Sequence, residues 1–493
     1  MEYRSTRNDR ECLSAAQAVL NGIAPDGGLY VPAREALNAF DPERVLLKPY
    51  REAAETILRF FFDGLQDLSS AVQAAYGDRF DTEEPVRLVK AGDAYILELF
   101  HGPTKAFKDL ALSLLPELIV RAKEKEGRDE ETLILTATSG DTGKAAMAGF
   151  QDVPGTKILV FFPAAGVSKV QEAQMRTQEG QNTAAVGVRG NFDDVQTAVK
   201  RIFTTLPGLG LPGKKICLSS ANSINIGRLV PQIVYYFHAY SELLKAGVIR
   251  KGETVDFTVP TGNFGDILAG FYAKEMGLPV RKLICASNRN RILCDFIKTG
   301  IYNKNRAFYR TQSPSMDILV SSNLERLIYM LSGEDAGYVR GLMTALNREG
   351  VFRVTPEILT KIQADFACGF LDDAAGRAVI RKTYEQDGYL ADTHTAVALG
   401  VYDELRKNDP DACPGIVLST ASPYKFPEAV LEALTGEQLQ DGFLAMERLE
   451  AYTGIPAPDA LRLLPEKEVR FTGVIDIGEM EDTVTRFAKG EKV

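Results

Sequence analysis

The run Val255-Asp256-Phe257-Thr258-Val259-Pro260-Thr261-Gly262-Asn263-Phe264-Gly265-Asp266 holds a strand and its exit turn. Val255 to Val259 are β-branched or aromatic at most positions and read as a strand. Two glycines then frame a turn, and a helix starts near Ile267. Working outward, further candidate strands are Thr132–Thr136, Lys157–Phe162, Ala184–Val188, Ile216–Ser219, Arg281–Ala286 and Ile416–Thr420. Between most of them lie stretches of helical length and period. Such alternation predicts α/β architecture, a mostly parallel sheet covered on both faces. Ligands in such folds gather at the carboxyl ends of strands. Polar, glycine-bearing or hydroxyl-rich turns stand at several of those ends: Thr138 to Gly143, Thr261 to Asp266, and Thr420 to Pro423.

At 493 residues the chain is too long for one ordinary core, and two or three domains are expected. Residues 1–85 read as a helical N-terminal unit. It contains the turn-rich Ala24-Pro25-Asp26-Gly27-Gly28-Leu29-Tyr30-Val31-Pro32 and amphipathic helices through Ala53 to Leu65. Residues 86–435 form the α/β region, with a smaller α/β subdomain at about 130–215. Within it, residues 303–410 read as mainly helical. Residues 436–493 are a C-terminal extension with a β-like piece near Val469–Val474.

A 45% apolar and 25% charged composition is that of a globular protein. The net charge of −9 argues against nucleic acid or an anionic membrane as partner. The six cysteines contain no C-x-x-C pair, so neither a disulfide framework nor a zinc ribbon is implied. The three histidines form no H-x-x-x-H pair, and no metal is expected. Met1 to Arg10 lacks an apolar leader core, and no apolar run approaches the ~20 residues of a membrane span. A cytoplasmic location is the expectation.

Lys108 is the residue with the sharpest chemical reading. In Leu99-Phe100-His101-Gly102-Pro103-Thr104-Lys105-Ala106-Phe107-Lys108-Asp109 it ends a Gly-Pro turn and opens an apolar, helix-periodic run. An amine beside a helix N-terminus is disfavoured as the cation, and an unprotonated lysine suits Schiff-base chemistry. An ordinary surface charge is the plain alternative. The Gly262 to Asp266 turn offers an anion cradle of main-chain N–H groups. Its plain alternative is a strand–helix turn with Asp266 as N-cap, which this motif alone slightly favours.

The Thr138-Ser139-Gly140-Asp141-Thr142-Gly143-Lys144 loop mimics a nucleotide P-loop but fails at Thr138 and Ala145. It still suits a carboxylate or phosphate. Asn222-Ser223-Ile224-Asn225-Ile226-Gly227-Arg228 precedes a long apolar helix. Its Arg228 suits phosphate; an Asn cap and a solvated Arg228 are the alternative. His101 reads as a hydrogen-bond partner and His238 as structural. Ser422-Pro423-Tyr424-Lys425 with Lys298-Thr299-Gly300 imitates penicillin-binding enzymes in the wrong order and is rejected.

Taken together and in this order, these segments strongly resemble the threonine synthase family, pyridoxal-phosphate enzymes of fold type II. The resemblance runs over nearly the whole chain. It includes Tyr3 to Arg7, Gly22 to Pro32, Phe100 to Asp109, Ser139 to Gly143, Asn222 to Arg228, Gly262 to Asp266, and Thr420 to Phe426. It implies parallel-sheet large and small α/β domains plus the N-terminal domain. It implies pyridoxal 5'-phosphate as cofactor, with Lys108 as its Schiff-base lysine and proton carrier. Gly262, Asn263, Phe264, Gly265 and Asp266 would surround the cofactor phosphate, and Thr420 would meet the ring nitrogen. Ser139, Gly140, Asp141 and Thr142 would receive the substrate carboxylate, with Asn222, Ser223 and Arg228 toward the substrate phosphate.

The implied reaction converts O-phospho-L-homoserine and water to L-threonine and phosphate, a carbon–oxygen lyase step ending threonine biosynthesis. The alternatives are an O-phosphohomoserine phospho-lyase giving 2-oxobutyrate, or a non-catalytic homologue. The chain is expected to act as a monomer or homodimer on a small molecule.

Overall fold

The computed structural model describes residues 1–493 apart from Ser139, Gly166, Pro207, Gly208, Pro212, Gly213, Asn408 and Pro410. Its larger sheet runs in the order Phe366–Phe370, Val280–Ser287, Val255–Pro260, Gly415–Ser419, Ala94–Glu98, Arg87–Ala91. Neighbours are parallel except the last two, which form a hairpin. The smaller sheet runs Val474–Asp476, Thr183–Arg189, Thr156–Pro163, Glu131–Ala137, Lys214–Ser219, Leu209–Leu211, parallel but for the last pair.

Each of the seven strands expected in the α/β region is present to within a residue or two. Period-two alternation explains why both faces of the larger sheet are covered. Leu97, Leu283, Cys285, Ile416 and Leu418 enter the main core. Their chain neighbours Ile96, Ile284, Ala286 and Val417 enter a second cluster beneath the helix Thr393–Arg406. The helix Ile226–Lys245 is buried without interruption from Ile226 to Ser241. It is covered on all sides because it lies between the N-terminal helix Tyr50–Phe61 and the helix Gly265–Glu275.

Three features depart from the sequence reading. The N-terminal region carries, beside its helices, a three-stranded antiparallel sheet of Asn8–Ser14, Glu2–Ser5 and Tyr30–Pro32. Asn8–Ser14 has no buried position, so no alternation betrays it. The stretch 303–410, read as mainly helical, contains Phe366–Phe370, which is an edge strand of the larger sheet. The β-like piece near the C-terminus is Val474–Asp476, and it extends the smaller sheet. The helix Met480–Lys489 then packs on that sheet, and Lys157 Nζ donates to its Phe487 and Ala488 carbonyls at 3.2 and 3.1 Å. That contact places a cation at the negative helix end. Among the described residues no helix is long and apolar enough to cross a membrane.

Candidate active site

The polar turns do lie at strand carboxyl ends, and main-chain bonds join two of the segments. Leu99 N–H donates to Ser419 O at 2.9 Å, and Phe107 N–H to Thr420 O at 2.9 Å. Ser422 N–H returns to Lys105 O at 3.0 Å. The segment ending the 94–98 strand is thereby laid along the segment ending the 415–419 strand. This brings Lys108 and Lys425 into one site.

Lys108 is the first residue of the helix Lys108–Leu112 and its side chain is 12% exposed. Its Nζ lies 3.7 Å from Asp141 Oδ2 and 4.7 Å from the Phe107 ring centre. Burial lowers its pKa below the usual lysine value; Asp141 opposes the shift, and the positive charges of Lys425 and Arg228 reinforce it. The physical cause differs from the one expected. The helix has only five residues, and burial rather than its dipole leads the shift.

Asp141 opens the helix Asp141–Phe150. Its Oδ1 pairs with Lys425 Nζ at 2.8 Å and accepts from Gln171 Nε2 at 2.9 Å. Its Oδ2 faces Lys108 and Ser315 Oγ, the latter at 3.4 Å. Burial alone would raise its pKa, but the two lysines outweigh burial and hold it well below the carboxylate range. An Asp141 carboxylate so engaged repels a second carboxylate, so this turn offers an anion its main chain and the Thr142 hydroxyl instead. Thr138 Oγ1 already accepts from Gly140 and Gly143 N–H, both at 3.0 Å. Among the described residues, the N–H groups of Asp141 and Thr142 have no acceptor. Gly140 has φ +144°, and a Cβ there would stand 2.4 Å from Gln171, the residue that also holds Asp141. Ser139 lies outside the described residues.

At the second turn the helix Gly265–Glu275 is capped by Phe264, not by Asp266 as the plain reading had it. Phe264 sits in the left-handed region at φ 62°, buried against Phe366 with ring centres 5.6 Å apart. A non-glycine residue there stores roughly 1–3 kcal/mol of strain, a pattern concentrated at ligand-binding sites. A Cβ on Gly262 would lie 2.6 Å from Ser315 O, so this turn and the 313–317 segment close on each other. Asn263 is exposed, and its carbonyl accepts from Asn323 N–H and Nδ2 at 3.1 and 3.0 Å. Asp266 is buried. Its Oδ1 accepts from Tyr235 and Tyr236 hydroxyls at 2.5 and 3.0 Å, and its Oδ2 has no partner. Burial raises its pKa to about 6, against both tyrosines and the charge of Lys108.

Arg228 is buried rather than solvated. Its Nη1 donates to Ala221 O at 2.8 Å, its Nε has no partner, and no carboxylate pairs with it among the described residues. Burial lowers its pKa to about 10. A buried guanidinium with an idle donor is costly unless an anion completes it. Ser223 Oγ accepts from Asn323 Nδ2 at 3.2 Å, whereas the Asn222 side chain makes no such bond among the described residues. Thr420 is buried, and its hydroxyl makes no hydrogen bond among the described residues.

Sequence reasoning missed Lys425, Gln171, Ser315 and the buried Arg326. Arg326 donates to Tyr30 O at 3.0 Å and Ile224 O at 2.6 Å, tying the N-terminal region to the loop before Arg228. Lys425 stood in the rejected S-x-x-K string and in the Thr420 to Phe426 segment of the resemblance, in neither case with a role of its own. His101 is the hydrogen-bond partner expected of it, with Asp81 at 3.1 Å and Glu98 at 3.0 Å. His238 is buried against Tyr50, as a structural residue would be. Among the described residues there is no group of three side chains fit to hold a metal ion.

Comparison with known proteins gives this arrangement a family. The family profiles "Threonine synthase N terminus" and "Threonine synthase, C-terminal" match residues 2–76 and 395–484. Threonine synthase-like 1 of Homo sapiens is 41% identical over 442 residues, 86% of this chain; the chain spans 58% of that relative's length. Threonine synthase of Pseudomonas aeruginosa is 40% identical over 444 residues, covering 89% of this chain and 91% of the relative. The crystal structure of PLP-bound threonine synthase from Brucella melitensis superposes with a TM-score of 0.84 at 36% identity, covering 100% of both chains. Identity of this level along nearly the whole length, on one shared fold, means that the chain belongs to the threonine synthase family.

Proposed function

We propose that the protein is a pyridoxal-phosphate-dependent threonine synthase, converting O-phospho-L-homoserine and water to L-threonine and phosphate. The observation that carries this reading is the meeting of Lys108, a buried amine of lowered pKa, with Arg228, a buried guanidinium lacking an anion. The donor set fits the cofactor. Lys108 suits an aldehyde, the N-terminus of the helix Gly265–Glu275 suits a phosphate, and the idle Thr420 hydroxyl suits a ring nitrogen.

When bound, pyridoxal phosphate supplies an electron sink for charge developing at the substrate carbons next to the amine. A hydroxyl at Thr420, unlike a carboxylate, does not enforce a protonated ring. Gly262 to Asp266 hold the cofactor phosphate through their main chain. Asp141 and Thr142 N–H receive the substrate carboxylate, with Ser139 and Gly140 in the same turn. Arg228 receives the substrate phosphate, with Asn222 and Ser223 beside it. Lys108 Nζ removes protons at Cα and Cβ and returns them at Cα and Cγ. The bond from Cγ to the phosphate oxygen breaks, Cγ gains a proton, and Cβ gains the hydroxyl of water, whose remaining proton goes to the released phosphate. The low exposure of Lys108 limits stray water, which would otherwise divert the substrate.

Product identification tests this reading. Purified holoenzyme given O-phospho-L-homoserine should release L-threonine and phosphate in equal amounts. 2-Oxobutyrate as the main product would show a phospho-lyase, and no turnover by a cofactor-loaded sample would show a non-catalytic homologue.

A further inference from the structure

Lys425 has no role in the reading above, yet its side chain is fully buried at the same site. Its Nζ donates to Thr104 O at 2.8 Å and pairs with Asp141 Oδ1 at 2.8 Å. Lys108 Nζ stands 3.7 Å from the other oxygen of the same carboxylate. Two lysines thus compete for one carboxylate, and Lys425 has the close position. Gln171 Nε2 saturates Oδ1 from a third side. Asp109, the other carboxylate near Lys425, accepts from Thr104 N–H and Oγ1 at 2.8 and 2.6 Å.

We infer that Lys425 is a positioning residue for Lys108: by taking Asp141 as its ion-pair partner, it lets Asp141 orient the reacting amine without locking it as a bound ammonium. The inference rests on Lys108 being the reacting amine. Its physical basis is that a buried carboxylate needs a cation. With Lys425 present, Asp141 already has one. Without it, Asp141 is left with Lys108, and the pair would close. The charged groups facing Lys108 are Asp141, Lys425 and Arg228, with Asp266 on the cofactor side. Loss of Lys425 removes a repulsion and frees an attraction, and both favour the protonated amine.

Competitive acetylation of the cofactor-free protein, read by peptide mass spectrometry, measures this without any turnover. Exposed Lys125 serves as internal standard. Lys425→Met should reduce labelling of Lys108 at a fixed pH by about tenfold, the change one unit of pKa produces. Asp141→Asn should increase it. Opposite movements mark an electrostatic role, whereas a merely structural contact would loosen the site and move both variants the same way. Unchanged or increased Lys108 labelling in folded Lys425→Met would overturn the inference. Should that variant not fold, Lys425→Gln, which keeps a hydrogen-bond donor without the charge, gives the same decision. Failure of the threonine synthase reading would appear instead as wrong products from the unmodified enzyme, with these labelling ratios unaffected.

Discussion

Replacing Asp266 by asparagine should stabilise the cofactor-free protein at neutral pH. Asp266 is buried, with one oxygen held by Tyr235 and Tyr236 and the other without a partner. Its pKa in the folded chain is about 6, against an ordinary 3.8. The folded state therefore holds this proton more tightly than the unfolded chain does. Stability contributed by the protonated carboxyl is lost as pH rises from about 4 through about 6. A shift of about 2 units at about 1.4 kcal/mol each gives a penalty of roughly 3 kcal/mol at pH 8 and about half that at pH 5. Asparagine keeps an oxygen for both tyrosines and carries no charge. At about 2.1 cal/mol/K per residue, unfolding this chain has an entropy near 1 kcal/mol/K, so the gain is about 3 °C in Tm at pH 8. Differential scanning calorimetry of both proteins from pH 5 to 8 reads it directly. A variant that is less stable at pH 8, or whose gain does not shrink toward pH 5, would show that burial does not hold the Asp266 proton.

Other substitutions probe the site one contact at a time. Lys108→Ala should abolish threonine formation while the cofactor still binds non-covalently, as absorbance after gel filtration would show; appreciable remaining turnover would assign the chemistry to another lysine. Arg228→Met should raise KM for O-phospho-L-homoserine roughly 10- to 150-fold, the equivalent of ~1.5–3 kcal/mol for a charged hydrogen bond. It should change the cofactor-free Tm little, because relief of a buried charge with no carboxylate partner offsets the lost bond to Ala221 O; an unchanged KM would remove Arg228 from the substrate. Gly262→Ala drives a Cβ to within 2.6 Å of Ser315 O. The strain of about 1–3 kcal/mol should weaken pyridoxal-phosphate binding in an absorbance titration, and unaltered affinity would take the turn away from the cofactor.

The parallel-sheet fold was legible because buried strands such as Lys157–Phe162 and Val255–Val259 combine β-branched runs with glycine-bearing exits. Phe366–Phe370 was not. It is short, contains Cys368 and Gly369, and is flanked by helices, so nothing local separates it from them. Asn8–Ser14 pairs with Glu2–Ser5 along an exposed edge and buries none of its residues, which leaves no apolar alternation to read. In the site, the turns and Lys108 could be named from residue type alone. Burial of Arg228 could not, since it follows from the elements packed around the helix Ile226–Lys245, in whose first turn it lies. The Lys425–Asp141 pair was invisible for a different reason: its members follow strands of separate sheets, Asp141 opening the helix after Glu131–Ala137 and Lys425 lying in the turn after Gly415–Ser419. A lysine judged by its neighbours in sequence looks solvated, whereas this one is fully buried.

Borohydride reduction of the purified yellow holoenzyme, followed by peptide mapping, locates the Schiff-base lysine. A single reduced pyridoxyl group on Lys108 is expected. The same group on Lys425 or Lys144, or a colourless protein that takes up no cofactor, would contradict it.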